Sequence, residues 1–71
     1  MKNEKTKQIE KIEELVKVYS GYSITGKTNS YIYIHSIDKM ITSNFIKLFT
    51  DNNFDFVIDF SINKLAVRID D

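Results

Sequence analysis

The 71-residue chain has no cysteine, no proline and no tryptophan, and only two glycines, Gly21 and Gly26. Without cysteine, neither a disulfide nor a thiolate-bound metal can brace the fold, a usage that fits a reducing compartment and sets a cytoplasmic location as the expectation. Two isolated glycines do not make a phosphate-gripping loop. No apolar run approaches the ~18 residues that span a bilayer. The N-terminal stretch MKNEKTKQIEKIEELVKVY mixes both charge signs and has no apolar h-region, so neither a signal peptide nor a membrane partner is expected. A charge excess is missing too, with ten Lys and Arg against ten Asp and Glu. Nucleic-acid binders usually carry a basic excess, because phosphate neutralisation drives their affinity. Any electrostatic preference must therefore be local. Lysines favour the first half of the chain, while Asp51, Asp55, Asp59, Asp70 and Asp71 gather near its end.

What remains is a strong hydrophobic pattern. A chain of this size buries only ~60% of its unfolded surface, so one small domain with a marginal core is expected. Residues 4–19 place Ile9, Ile12, Leu15, Val16 and Tyr19 on one helical stripe, with Asn3 as N-cap and Gly21 free to take a left-handed position beyond it. YSIT (22–25) and SYIYIH (30–35) read as strands joined by the turn chemistry of GKTN (26–29). A second helix is expected over 37–50, capped by Ser36, with Asp38 in its first turn and Ile37, Met40, Ile41, Phe45, Leu48 and Phe49 on its apolar face. Residues 51–53, DNN, end it.

FDFVIDFSINKLAVRID (54–70) reads as a second hairpin. If Asn63-Lys64 is its tight turn, Ile62 pairs with Leu65, Phe60 with Val67 and Ile58 with Ile69, all on one face. The same count sets Asp59 opposite Arg68, a cross-strand pair worth ~0.2–1 kcal/mol, and leaves Asp55 without a partner. The order α-β-β-α-β-β implies an α+β two-layer sandwich: a four-stranded antiparallel sheet with two helices on one face. The helices are expected to cover Phe56, Ile58, Phe60, Val67 and Ile69. Strand four or strand one would lie between strands two and three. In the first hairpin, a two- or four-residue loop would turn Tyr22 and Ile24 to the outer face, whereas a bulge or odd-length loop, preferred because a small core needs Ile24, brings Ile24 to the core side.

The helix-free face then carries Tyr31, Tyr33, His35, Asp55, Val57, Asp59 and Arg68. His35 with Asp55 and Asp59 is a conceivable metal set, but strand carboxylates four residues apart sit ~13 Å apart, whereas ligands must converge at ~2.0–2.2 Å. No metal and no cofactor are expected. Serines and threonines are present without an elbow motif or an oriented base, so no enzyme is expected. Tyrosine and arginine are the residues enriched at protein-interface hot spots, and Val57 and Ala66 add apolar area between them. Tyr31 and Tyr33 also suit base stacking, although Asp55 and Asp59 on the same face repel phosphate. The first helix, with Lys2, Lys5, Lys7, Lys11 and Lys17, is a second cationic surface, interleaved with Glu4, Glu10, Glu13 and Glu14.

GYSITGKTNSYIYIHS (21–36) is similar to the paired hairpin of GIY-YIG nucleases: Gly21-Tyr22, Ile24-Thr25, Asn29 and Tyr33-Ile34 match, and His35 stands where that motif has glycine. The likeness covers about a fifth of the chain. It implies a metal-dependent nuclease with a catalytic arginine on the next helix and a later metal-binding glutamate. Residues 37–50 offer only Lys39 and Lys47, and no glutamate follows Glu14, so the catalytic set is missing.

The expected function is thus a small non-catalytic protein-binding module working through Tyr31, Tyr33, His35, Asp55, Val57, Asp59 and Arg68. Its richness in Ile, Lys, Asn, Phe and Tyr is that of an AT-rich coding sequence, which suits an inhibitor encoded by a phage or mobile element and docking on a host protein complex. The alternative is a nucleic-acid-binding domain using Tyr31 and Tyr33 or the lysine-rich helix. Self-association, as a homodimer or larger homo-oligomer, is a further expectation, since edge strands accept partner strands.

Overall fold

Burial alternates along YIYIHS and thereby sets the two faces of the sheet. In the computed structural model, which describes residues 4–37 and 40–69, Ile32 and Ile34 are buried while Tyr31, Tyr33 and His35 are half-buried. The chain runs α1 (Glu4–Val16), β1 (Tyr22–Lys27), β2 (Tyr31–Ser36), α2 (Ser43–Asp51), β3 (Phe56–Asp59) and β4 (Lys64–Arg68). The four strands form one antiparallel sheet in the order β1-β2-β4-β3. This is the expected two-layer α+β sandwich, with β4 as the strand between β2 and β3. Ile12, Leu15, Val16, Phe45 and Phe49 of the helices join Ile32, Ile34, Leu65 and Val67 of the sheet in a single core. Ile9, Leu48, Phe56 and Ile58 pack around it, partly buried.

The first helix is shorter than its stripe suggests. Lys17 N–H and Val18 N–H donate to Glu14 and Leu15 carbonyls at 3.2 Å, the tighter i→i−3 pattern that closes a helix end. Gly21, at φ 94°, then reverses the chain in a conformation that side chains rarely adopt. Tyr19 therefore lies in a turn, 39% exposed, and does not extend the buried stripe. The expected cap Asn3 lies outside the described residues.

The second helix starts six residues later than expected, because its expected cap is engaged elsewhere. Ser36 belongs to β2, and its N–H donates to the Asn63 carbonyl at 3.1 Å; Ile37 N–H donates to the Gly21 carbonyl at 3.1 Å. With these groups tied to the sheet, Thr42 becomes the N-cap, its Oγ1 accepting from Phe45 N–H at 3.2 Å. Ile37 and Met40 consequently leave the apolar face and stand 76% and 63% exposed, while Ile41, Phe45 and Phe49 are buried as expected. Asp38 lies outside the described residues. Tyr22 pins the new cap: its ring stacks on Phe45 with centroids 3.7 Å apart, and its hydroxyl accepts from Thr42 N–H at 3.3 Å.

At the other end of α2, Asn53 takes the left-handed region at φ 63°. Asn53 N–H donates to the Thr50 carbonyl at 3.1 Å and Phe54 N–H to the Phe49 carbonyl at 2.9 Å, the paired bonds of a Schellman cap. Its hydrophobic contact is present as well, with the Phe49 and Phe54 rings meeting edge to face at 6.2 Å. Asn53→Gly is expected to raise the unfolding free energy by ~0.5–1 kcal/mol and Asn53→Val to lower it by ~1–2 kcal/mol, read by urea denaturation. Equal stabilities for all three proteins would refute this account of the cap.

The second hairpin is corrected in register but not in face. Its loop is Phe60-Ser61-Ile62-Asn63, with Asn63 at φ 52°, so Ile58 pairs with Leu65 and Phe56 with Val67. The pairing differs from the Asn63-Lys64 turn by an even number of positions, so the side chains that remain in the strands keep their faces while their partners change. Phe60 and Ile62 fall in the loop, 54% and 52% exposed, and do not reach the core. Ile69 does, at 2% exposure. In the first hairpin the expected bulge is present between Ile24 and Gly26, and it sets Ile24 opposite Ile34 on the core side, although at this sheet edge Ile24 stays 38% exposed.

Candidate functional site

Three rows of side chains cross the helix-free face. One runs Ser23–His35–Lys64–Asp59, the next Gly26–Tyr33–Ala66–Val57. In the third, Tyr31 lies opposite Arg68, whose N–H donates to the Asp55 carbonyl at 2.8 Å. The sheet thus brings all seven expected residues (Tyr31, Tyr33, His35, Asp55, Val57, Asp59 and Arg68) onto one face. The middle row is apolar and aromatic, and the outer rows carry the charges.

The partners of the acids differ from expectation. Asp59 stands opposite Lys64, not Arg68, and Arg68 is instead the neighbour of Asp55. The cause is Asp59 itself. Its Oδ1 accepts from Ser61 N–H at 3.0 Å and from Ser61 Oγ, an Asx-type turn that begins the loop at Phe60. Asp-x-Ser is a legible turn signal, and weighing it above Asn63-Lys64 would have found both the loop and Lys64's place on this face.

The aromatic pair is ordered. Tyr31 and Tyr33 rings lie 6.3 Å apart at 21°, and Lys64 Nζ sits 4.3 Å from the Tyr33 centroid. A cation over a ring at the protein surface is worth ~0.5–1 kcal/mol. Val57 is the most open apolar member at 64% exposure. Thr25, the extra residue of the bulge, shares a hydrogen bond between its Oγ1 and His35 Nδ1. That contact orients the imidazole from the neighbouring strand. Thr25, Ser61 and Lys64 thus shape the site without having been singled out for it.

Hydrogen bonds from the Ser61 hydroxyl and backbone, aided by Lys64, hold the Asp59 carboxyl below the usual aspartate range. A depressed folded-state pKa stabilises the fold above the ordinary aspartate value of ~3.9, and this contribution fades as pH falls through that value and the lower folded one. The thermal midpoint should therefore drop on acidification into this window, and drop less in Asp59→Asn. Identical pH profiles for the two proteins would show that Asp59 does not anchor the loop. Among the described residues, no three His, Asp or Glu side chains are grouped to hold a metal ion. Also among them, no helix is long and apolar enough to cross a membrane.

No protein-family model matches this sequence, no curated protein matches it, and no solved structure matches the fold, so the functional reading rests on the geometry of this face.

Proposed function

We propose that this protein is a small non-catalytic binding module that docks on a protein partner through its helix-free sheet face. The observation that supports the reading is the ordering of the three rows, in which Tyr33, Ala66 and Val57 form an apolar strip between rows bearing Asp59, Lys64 and His35 on one side and Asp55, Arg68 and Tyr31 on the other. Protein interfaces have this anatomy: an aromatic-apolar centre that is fully desolvated on docking, and a polar rim that excludes water and sets orientation. The edge position of β3 leaves Val57 open to a partner. The small size and AT-rich residue usage suit an inhibitor encoded by a phage or mobile element that binds a host protein complex.

Nucleic-acid binding is the rival, and two contacts weigh against it. Base stacking needs a free ring face, but Lys64 already lies over one face of Tyr33, and Tyr31 flanks that ring with centroids 6.3 Å apart. On α1, Lys11 pairs with Glu14 at 3.7 Å, in keeping with a solvated, mixed-charge face; Lys2 lies outside the described residues. The test is affinity capture from the native host with the wild type and with Tyr31→Ala/Tyr33→Ala. Specific capture by the wild type that the double variant loses supports the reading. A captured set unchanged by the double substitution refutes it, as does salt-sensitive nucleic-acid binding with no protein captured.

A further inference from the structure

A second surface lies away from the sheet face. Besides Ile24 in β1 and Val57 in β3, the large apolar side chains that stay exposed gather at one end of the molecule: Val18 and Tyr19 in the turn before β1, Ile37 and Met40 after β2, and Phe60 and Ile62 between β3 and β4. Antiparallel pairing in the order β1-β2-β4-β3 puts these three segments side by side. Ser36 N–H to the Asn63 carbonyl and Ile37 N–H to the Gly21 carbonyl, both 3.1 Å, tie them together, so the end is held in shape before any partner arrives. The six residues expose from 39% (Tyr19) to 76% (Ile37) of their surface. Together they offer on the order of 600 Å², the upper limit of the largest apolar patch usual for a monomer and most of the ~800 Å² per partner of a standard interface.

We propose that this apolar end is a homodimer interface, covered by the same end of a second copy. The formal net charge of zero removes the long-range repulsion that two copies of a charged protein would feel. Two charges of the described residues stand on opposite sides of this end. Lys17 lies on the β1 side and Asp59, with Lys64 opposite it on the sheet, on the β3 side. A two-fold axis perpendicular to the sheet sets the Lys17 side of one copy over the Asp59 side of the other. The other route to self-association, strand addition at an edge, is blunted on both sides: β1 is interrupted by the bulge at Ile24/Gly26, and β3 is four residues long. In the end-to-end dimer both helix-free faces point the same way, which makes the docking surface bivalent.

Sedimentation velocity on the full chain from micromolar to millimolar concentration tests this. The wild type is expected to pass from monomer to dimer, and Ile37→Asp/Phe60→Asp to raise the dimer dissociation constant at least ~30-fold. Val57→Asp, which disables only the sheet face, should leave the dimer intact, so this proposal and the docking reading fail separately. Both tip positions are exposed, and far-UV circular dichroism checks that the double variant folds; if it does not, Ile62→Lys is read in its place. A wild type monomeric throughout overturns the proposal, as does a dimer lost with Val57→Asp but kept in the tip variant. A monomer that co-sediments with phosphatidylcholine vesicles overturns it too and assigns the tip to a bilayer.

Discussion

Phe45→Ala is expected to leave the chain at the edge of unfolding at room temperature. Phe45 is fully buried, and it packs flat against Tyr22 at 3.7 Å and edge-on against Phe49 at 5.1 Å. Truncating such a ring costs ~3–5 kcal/mol in lost transfer energy and cavity. At ~0.05–0.15 kcal/mol per residue, a domain of this length has only ~4–11 kcal/mol in total. Tyr22→Phe separates the two roles of its partner. The ring stack survives while the hydroxyl that backs Thr42 is lost, for ~0.5–1.5 kcal/mol. Urea denaturation followed by circular dichroism measures both. A Phe45→Ala protein within ~1 kcal/mol of wild type would show that this ring does not seat α2 on the sheet.

The second large effect is on binding. Once a partner is captured, Tyr31→Ala/Tyr33→Ala is expected to weaken it by at least ~100-fold, since hot-spot aromatics contribute ~2 kcal/mol or more each. Val57→Asp should weaken it at least ~30-fold by setting a charge in the desolvated strip, whereas Val57→Thr keeps the β-branched shape and most of the affinity. These side chains are half-buried or exposed, so unfolding midpoints should move far less than affinities do. Titration calorimetry with the purified partner reads the result. If Val57→Asp binds as wild type does, the middle row lies outside the interface.

Much of the fold was legible because side-chain direction in a strand is a local property. Tyr31, Tyr33 and His35 alternate with Ile32 and Ile34, and that alternation alone assigns the faces. Parity also protects the assignment from error: the second hairpin can be counted from the wrong turn and still place Asp55, Val57, Asp59 and Arg68 together. The apolar spacing of Ile12, Leu15, Phe45 and Phe49 marks the helices in the same way. None of this required knowing which strands touch.

Partners and boundaries were settled elsewhere. Whether Asp59 meets Lys64 or Arg68 depends on the competition between two adjacent turns, and the Ser61 hydrogen bonds at Asp59 decide it. Whether Ser36 caps a helix or ends a strand depends on Asn63, far along the chain, whose carbonyl takes the Ser36 N–H. The exposed positions of Ile37, Met40, Phe60 and Ile62, and with them the apolar end, follow from those two outcomes. Side-chain periodicity is a property of each segment's own backbone geometry, and so it can be read from consecutive residues. Register and helix starts are set by hydrogen bonds between segments distant in sequence, and only the assembled chain brings those groups within reach.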